Sequence, residues 1–205
     1  MTERLRVVLA TGNQDKVREI RQILSDAPVE LVSLAEFPGI TPAEEDGRSF
    51  EENALKKAIS VWQQTGLASL ADDSGLEVDA LGGEPGVKSA RFAGEDATYE
   101  ANNRRLLDKL RSVPREKRKA AFVCVAALIT PKGKMIIQRG EVKGRIIEDY
   151  RGEGGFGYDP VFYLPEKKKT MAEIGPEEKN KISHRAQAFN AMRDFICALS
   201  ARNKL

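Results

Sequence analysis

The clearest candidate for chemistry is a pair of adjacent acids that follows an apolar run. Asp72 and Asp73 come directly after residues 68–71, which we interpret as a short buried strand. Two carboxylates at a strand end repel each other, and Mg²⁺ relieves that repulsion because it prefers carboxylate, water and phosphate oxygens. The pair therefore indicates a metal site. A turn capped by its own side chains is the alternative, since Asp, Ser and Gly all favour turns.

A second acidic group lies in a loop rich in proline and glycine. It contains Glu44, Glu45 and Asp46. On its own such a group is more typical of a solvated loop than of a binding site. Beside a metal it would supply further carboxylate oxygens of the kind that Mg²⁺ prefers.

A short polar turn joins a predicted strand to a predicted helix. It consists of Thr11, Gly12, Asn13, Gln14, Asp15 and Lys16. Free backbone N–H groups and the helix dipole favour an anion at a helix start. Lys16 falls in the first turn, where the dipole disfavours a cation, so a bound phosphate would explain it. An ordinary strand–helix turn with a surface lysine is the alternative.

A second helix start with basic residues is the predicted start of the last helix. His184, the only histidine of the chain, and Arg185 follow Ser183, a good capping residue, and Lys179 lies just before them. Cations here are again opposed by the dipole, and two such helix starts favour an anionic ligand. A structural role remains the alternative for the histidine.

Residues 152–157 match the pattern G-x-G-x-x-G by letter. A dinucleotide-binding site requires these glycines to open a helix, whereas residues 158–163 are typical of a strand, so we reject a Rossmann site. Phe156 and Tyr158 beside flexible backbone suit a flat ring and polar backbone contacts, with a plain connection as the alternative. The sequence contains no Walker A motif and no G-x-S-x-G nucleophile elbow.

The surrounding pattern predicts an α/β protein. Strands are expected at residues 6–10, 30–34, 68–71, 120–130, 134–142 and 160–164, and helices from about residues 15, 50, 99 and 184. Ser49 and Glu52 form a capping-box pattern at the second helix, which Gly66 ends. Strands alternate with helices early and a hairpin follows, so we expect a mixed sheet.

Bulk composition suits one domain over residues 1–205. The chain is 41% hydrophobic and 31% charged, and is long enough to bury a core without disulfides. A net charge of +2 argues against a nucleic-acid partner, which normally requires a basic surplus. No segment approaches the roughly 20 apolar residues that span a bilayer, and no signal peptide is evident. Cys124 and Cys197 lie in apolar runs, and so few cysteines suit a reducing compartment. We therefore expect a cytoplasmic protein without a membrane partner and with both cysteines buried.

Six segments together resemble the inosine/xanthosine triphosphate pyrophosphatase family. They are residues 10–16, 49–54, 71–76, 86–91, 154–160 and 183–185. Each segment is a weak signal alone, but all six occur in the family's order from residue 10 to residue 185, so the resemblance extends over nearly the whole chain.

The resemblance implies a fold, a reaction and a cofactor. The fold is an elongated mixed β-sheet flanked by helices, with two lobes and a central substrate cleft, and the usual assembly is a homodimer. The reaction cleaves deaminated purine nucleoside triphosphates (ITP, dITP and XTP) between the α- and β-phosphates, and it requires Mg²⁺. The products are a nucleoside monophosphate and pyrophosphate.

The resemblance also assigns roles to single residues. Asp73 is the expected base and a metal ligand, and Glu44 is the second metal-side carboxylate. Asp72 and Glu45 are close enough in sequence that neither is excluded. The expected substrate-binding residues are Thr11, Gly12, Asn13, Gln14, Asp15, Lys16, Ser74, Phe156, Gly157, Tyr158, Asp159, Lys179, His184 and Arg185.

Two alternative functions remain open. One is a pyrophosphatase of similar fold that prefers a pyrimidine triphosphate. The other is a nucleotide-binding protein without catalysis, which the presence of Asp72, Asp73 and Glu44 argues against. An RNA-binding module is disfavoured by the near-neutral charge.

Overall fold

The computed structural model describes residues 4–202 and contains one mixed sheet. Its strands are β1 (Leu5–Leu9), β2 (Val29–Ser33), β3 (Ala68–Val78), β4 (Lys119–Ile129), β5 (Met135–Ile146), β6 (Phe162–Leu164) and β7 (Lys169–Thr170). Their order in the sheet is β2-β1-β3-β4-β5-β6-β7. β1 pairs in parallel with β2 and β3, whereas β6 is antiparallel to β5 and β7. The predicted α/β class with a mixed sheet is confirmed.

Five α-helices accompany the sheet in the described residues. They are α1 (Gln14–Ile23), α2 (Phe50–Thr65), α3 (Tyr99–Leu110), α4 (Pro176–Ile182) and α5 (His184–Arg202). Ser49 caps α2 by accepting a hydrogen bond from the Glu52 N–H, but the Glu52 carboxylate accepts from the Arg48 N–H, so the predicted capping box is only half formed. α4, which begins with Pro176, was not predicted. No helix within residues 4–202 is long and apolar enough to cross a membrane.

β3 is longer than the sequence predicts. We expected a strand that ends at Ala71 with the two acids at its end, but β3 runs through both acids and spans 11 residues, from Ala68 to Val78. That expectation was wrong, because Asp and Gly are rare in strands on average while packing on both faces decides the individual case. Successive side chains of a strand point to opposite faces, so Asp72 and Asp73 have separate surroundings.

The described chain consists of two compact units. The first contains the residues up to Asp73, Cys124–Gly140 and those from Arg185 onward, and the second contains Ser74–Val123 and Glu141–His184. Each unit has its own apolar core. Leu9, Ile20, Leu70, Phe189 and Met192 are among the residues in the first core, and Leu76, Leu106, Phe162 and Met171 are among those in the second.

Candidate functional site

Asp73 lies in the first unit against two side chains of α2. Lys57 Nζ is 2.9 Å from Asp73 Oδ1, and Asn53 Nδ2 donates to Asp73 Oδ2 at 3.1 Å. Asn53 and Lys57 are four residues apart and therefore share one face of the helix. Burial raises the pKa of Asp73 above its usual value, although Lys57 and Lys16 oppose that shift. A carboxylate whose pKa moves towards neutrality accepts a proton more readily, which suits a general base.

Lys57 connects Asp73 to the acidic loop. Its ammonium lies 3.2 Å from Glu45 Oε1. Burial alone would lower the pKa of Lys57, but the carboxylates of Asp73, Glu45 and Asp72 raise it above its ordinary value, so the side chain is a cation at neutral pH. Glu44, the neighbouring residue of the loop, is exposed.

The acids around Asp73 have the donor chemistry of a magnesium site. Each oxygen of Asp73 accepts one hydrogen bond, whereas a carboxylate offers about four acceptor sites, so capacity for a cation remains. Within residues 4–202, no group of three or more His, Cys, Asp or Glu side chains is placed to hold a metal ion. Mg²⁺ is commonly bound through one or two carboxylates together with water and substrate phosphates. The residues therefore fit a metal ion whose remaining ligands are water and substrate phosphates.

Asp72 lies on the opposite side of β3, fully buried between two cations. Its Oδ2 is 3.1 Å from Lys16 Nζ and 3.2 Å from Arg185 Nη2. The Cys124 thiol lies 3.9 Å from the same oxygen. Arg185 also pairs with Glu19 of α1, and these carboxylates raise the pKa of Arg185 despite its burial.

The partners of Lys16 and Arg185 explain why cations stand at two helix starts. The sequence argument favoured an anionic ligand there, but the structure supplies the buried carboxylate of Asp72 as an anion for both. The Lys16 side chain remains 14% exposed, whereas that of Arg185 is 2% exposed. In this arrangement Lys16 can reach a ligand more readily than Arg185 can.

The polar turn before α1 is ordered by its own side chains. Asn13 Oδ1 accepts hydrogen bonds from the N–H groups of Asp15 and Lys16, at 2.9 and 3.2 Å. The prediction that these N–H groups are free was wrong, because Asn13 acts as the N-cap. Thr11 Oγ1 accepts from the Asn13 N–H at 3.2 Å. Gly12 is exposed, and a Cβ placed there would meet no atom within 4 Å, so a ligand can approach the backbone at this point.

In the second unit, a buried ion pair fixes the glycine-rich loop. Lys179 Nζ is 2.6 Å from Asp159 Oδ2, and the same oxygen accepts the Phe156 N–H at 2.9 Å. The ammonium also lies 5.0 Å from the centroid of the Phe156 ring. Gly155 has a φ of +72°, and a Cβ there would collide with the Asp159 carboxylate, so this position requires glycine. Asp159 and Lys179 thus hold Phe156 in place.

Two further contacts hold the residues after Phe156. The Tyr158 hydroxyl donates to the Ser89 carbonyl oxygen at 2.9 Å, and burial raises the pKa of Tyr158 so that the phenol stays neutral. Asn103 Nδ2 donates to the Gly157 carbonyl oxygen at 2.8 Å. Tyr158 is therefore a buried anchor of the loop.

The remaining predicted residues of the second unit differ in exposure. Phe156 is half-buried, with the exposed ring of Tyr99 at 5.9 Å between centroids, so it is better placed than Tyr158 to contact a flat ligand ring. His184 is buried and its ring stacks on Phe122 at 4.9 Å and 15°. Ser74 is half-buried in β3.

Sequence reasoning missed Asn53, Lys57 and Glu19 as partners of the predicted residues. A signal for the first two was present in α2, whose apolar face repeats at helical spacing. Asn53 and Lys57 interrupt that face, and both are buried. Polar residues on an apolar stripe require partners, because burying them alone is costly.

Comparison with known proteins identifies the family. The model of the Ham1 family matches residues 7–195. A protein of Geobacter sulfurreducens named dITP/XTP pyrophosphatase is 54% identical over 191 residues, which cover 93% of this chain and 96% of that protein. A protein of the same name from Desulforamulus reducens is 50% identical, with 94% and 96% covered.

Solved structures agree with these sequence relationships. The HAM1 protein of Coxiella burnetii is 40% identical and superimposes with a TM-score of 0.86, covering 95% of this chain and 99% of that one. A protein of Mycobacterium abscessus named nucleoside-triphosphatase / dITP/XTP pyrophosphatase is 45% identical, with a TM-score of 0.76 and coverages of 92% and 98%. The resemblance inferred from six short segments is thereby confirmed, and the chain belongs to the Ham1 family.

Proposed function

We propose that this protein hydrolyses the deaminated purine nucleoside triphosphates dITP, XTP and ITP to a monophosphate and pyrophosphate, and so removes them from the nucleotide pool. The observation that carries the proposal is Asp73, a nearly buried carboxylate of raised pKa whose two oxygens are held by Lys57 and Asn53. The names of the relatives support the same reaction.

Asp73 acts as the base in this proposal. It accepts the proton of the water that attacks the phosphorus, and its raised pKa favours that transfer. Mg²⁺ bound beside Asp73 would offset part of the negative charge of the phosphates and would help to orient the attacking water. Asp73 and the exposed Glu44 are the side chains that would hold this ion.

Lys16 and the turn before it bind the phosphates in this proposal. The ammonium retains some exposure while Asp72 anchors it, and the Gly12 backbone is open to a ligand. A fixed cation stabilises the charge that spreads over phosphoryl oxygens during the reaction. The turn from Thr11 to Lys16 is therefore the proposed phosphate-binding segment.

The glycine-rich loop and the cations predicted near it recognise the base in this proposal. Phe156 offers a half-buried ring for stacking, and Lys179, 5.0 Å from that ring, and the buried His184 are the proposed donors. The 6-keto group of a deaminated purine accepts a hydrogen bond, whereas the 6-amino group of adenine donates one. When ATP binds, donor groups of the protein would therefore face the amino group, and neither side would have an acceptor. Each buried unpaired polar group costs about 1–3 kcal/mol, and two or three mismatches would discriminate strongly.

Pyrophosphate release from dITP, XTP, ITP, ATP and dTTP tests the proposal. We expect rapid release from the first three, slow release from ATP and dTTP, and loss of activity when the metal is chelated. Preference for dTTP would establish the pyrimidine-specific alternative. Binding of dITP without pyrophosphate would establish a non-catalytic nucleotide-binding protein. Undiminished activity after chelation would contradict the role of Mg²⁺.

We also propose that the protein is a homodimer and acts in the cytoplasm, where the nucleotide pool is used. Sedimentation at several concentrations measures the assembly. A single species with the mass of one chain at all concentrations would contradict the dimer.

A further inference from the structure

Asn53 forms hydrogen bonds with Asp73 and with the loop that carries Glu44. Its side chain is fully buried in the first turns of α2. Its Nδ2 donates to Asp73 Oδ2 at 3.1 Å, and its Oδ1 accepts the Gly47 N–H at 2.8 Å. Gly47 ends the acidic loop that begins at Glu44. One amide thus links the proposed base to the loop that carries the second proposed metal ligand.

The two partners fix which way the amide points. A carboxylate requires a donor and a backbone N–H requires an acceptor, so only one placement of the amide oxygen and nitrogen satisfies both. The two oxygens of Asp73 also have different donors, Lys57 for Oδ1 and Asn53 for Oδ2. Rotation of the carboxylate would break both bonds. Asn53 therefore orients Asp73 without adding a charge that would compete with a metal.

Gly47 shows how closely the loop approaches this amide. A Cβ at that position would lie 2.5 Å from Asn53 Oδ1 and 3.0 Å from Glu52 Cβ. Such distances require something to move, so a side chain at position 47 would push the loop away from α2. The lack of a side chain at Gly47 lets the loop lie this close to Asn53, and the hydrogen bond from the Gly47 N–H to Asn53 Oδ1 holds it there.

We propose that Asn53 is a positioning residue that aims the Asp73 carboxylate and holds the Glu44 loop beside it, so that both meet one metal ion. This inference rests on the proposed function. Partners that orient metal ligands change metal affinity or activity by about 10–100-fold when they are removed. Asn53 acts through Asp73 and the Glu44 loop and does not itself contact the substrate in this proposal. Its loss should therefore lower metal affinity and kcat more than nucleotide affinity.

The test compares Asn53→Ala with Asn102→Ala. Asn102 is also a buried asparagine that bridges two groups, since it accepts the Ala93 N–H at 2.7 Å and donates to the Ala90 carbonyl at 2.9 Å. We expect Asn53→Ala to weaken Mn²⁺ binding, measured by electron paramagnetic resonance, and to lower kcat, each by about 10–100-fold. KM for dITP should change less than kcat. Asn102→Ala should show wild-type Mn²⁺ binding and kcat in its folded fraction.

Gly47→Ala provides an independent arm if Asn53→Ala does not fold. It crowds the same amide from the loop side, and we expect weaker Mn²⁺ binding with a smaller loss of kcat. Wild-type Mn²⁺ binding in a folded Asn53→Ala or Gly47→Ala protein would overturn the inference, as would equal losses in Asn53→Ala and Asn102→Ala. Failure of the proposed function is a different result, in which the wild-type protein releases no pyrophosphate from dITP.

Discussion

Asp72 and Asp73 are neighbours in β3, yet they lie in different electrostatic environments. Asp72 is completely buried and shares Oδ2 between the cations Lys16 and Arg185. Asp73 retains slight exposure and has one cation and one neutral amide as partners. The strand alternation separates the two carboxylates, so adjacent acids need not repel each other across a shared site.

The difference indicates a structural role for Asp72 and a role in binding a proton or a metal ion for Asp73. The surroundings of Asp72 hold permanent charges in fixed positions, which suits orientation of Lys16. The surroundings of Asp73 leave its charge less compensated, and burial raises its pKa. A carboxylate in that state can take up a proton or a metal ion, whereas one between two cations is already neutralised.

Asp73→Asn should produce the largest loss of activity. A general base contributes about 10²–10⁴-fold to a rate, so turnover of dITP should fall by at least that factor while dITP binding is largely retained. Burial raises the pKa of Asp73 in the folded protein above its value in the unfolded chain. At pH values above that raised pKa, the charged carboxylate therefore destabilises the folded state. Replacing it should therefore cost less stability than replacing Asp72. Pyrophosphate release and thermal unfolding measure the two effects. Normal turnover of the Asn variant would show that the base is another residue.

Asp72→Asn should produce the largest loss of stability. The variant leaves Lys16 and Arg185 without their shared carboxylate, and breaking a buried ion pair costs about 3–5 kcal/mol. Denaturant unfolding measures this loss. Glu19→Gln is the matched control, because Arg185 then loses one carboxylate but keeps Asp72. A variant of Asp72 that is as stable as the Glu19 variant would contradict the central position given to Asp72.

The sequence predicted much of this arrangement through local patterns. The cap at Ser49 and the glycine at position 66 place both ends of α2 where the structure has them. The course of β3 through two aspartates could not be predicted, because packing on both faces, which only the folded chain has, outweighs the preference of Asp for turns.

The partners of the site residues could not be predicted from the sequence for a similar reason. Glu19 and Arg185 are 166 residues apart in sequence and form an ion pair. The spacing of residues along the sequence cannot predict a pair that only the folded chain brings together. A cation at a helix start was correctly recognised as needing an anion, but a protein carboxylate and a ligand phosphate satisfy the same electrostatic requirement.

The two glutamates of the acidic loop should differ in their effect on the metal. Glu44 is exposed, whereas Glu45 pairs with Lys57. We expect Glu44→Gln to raise the Mg²⁺ concentration that gives half-maximal activity several-fold. Glu45→Gln should leave it near the wild-type value and change stability by no more than about 1 kcal/mol, because the pair is partly exposed. Titrations of activity with Mg²⁺ distinguish the two. The reverse order would make Glu45 the metal ligand.

Cys124→Ala should have the smallest effect and tests how completely Asp72 depends on its cations. The thiol lies 3.9 Å from Asp72 Oδ2, and a thiol is a weak donor, while Lys16 and Arg185 remain in place. A loss of about 1 kcal/mol in unfolding free energy is expected, chiefly from packing in a filled core. Cys197→Ala, at a half-buried position, is the control for loss of a sulfur atom. If Cys124→Ala were as unstable as Asp72→Asn, the thiol would be a principal partner of the carboxylate, and the contrast between the two aspartates would no longer rest on the number of cations around each.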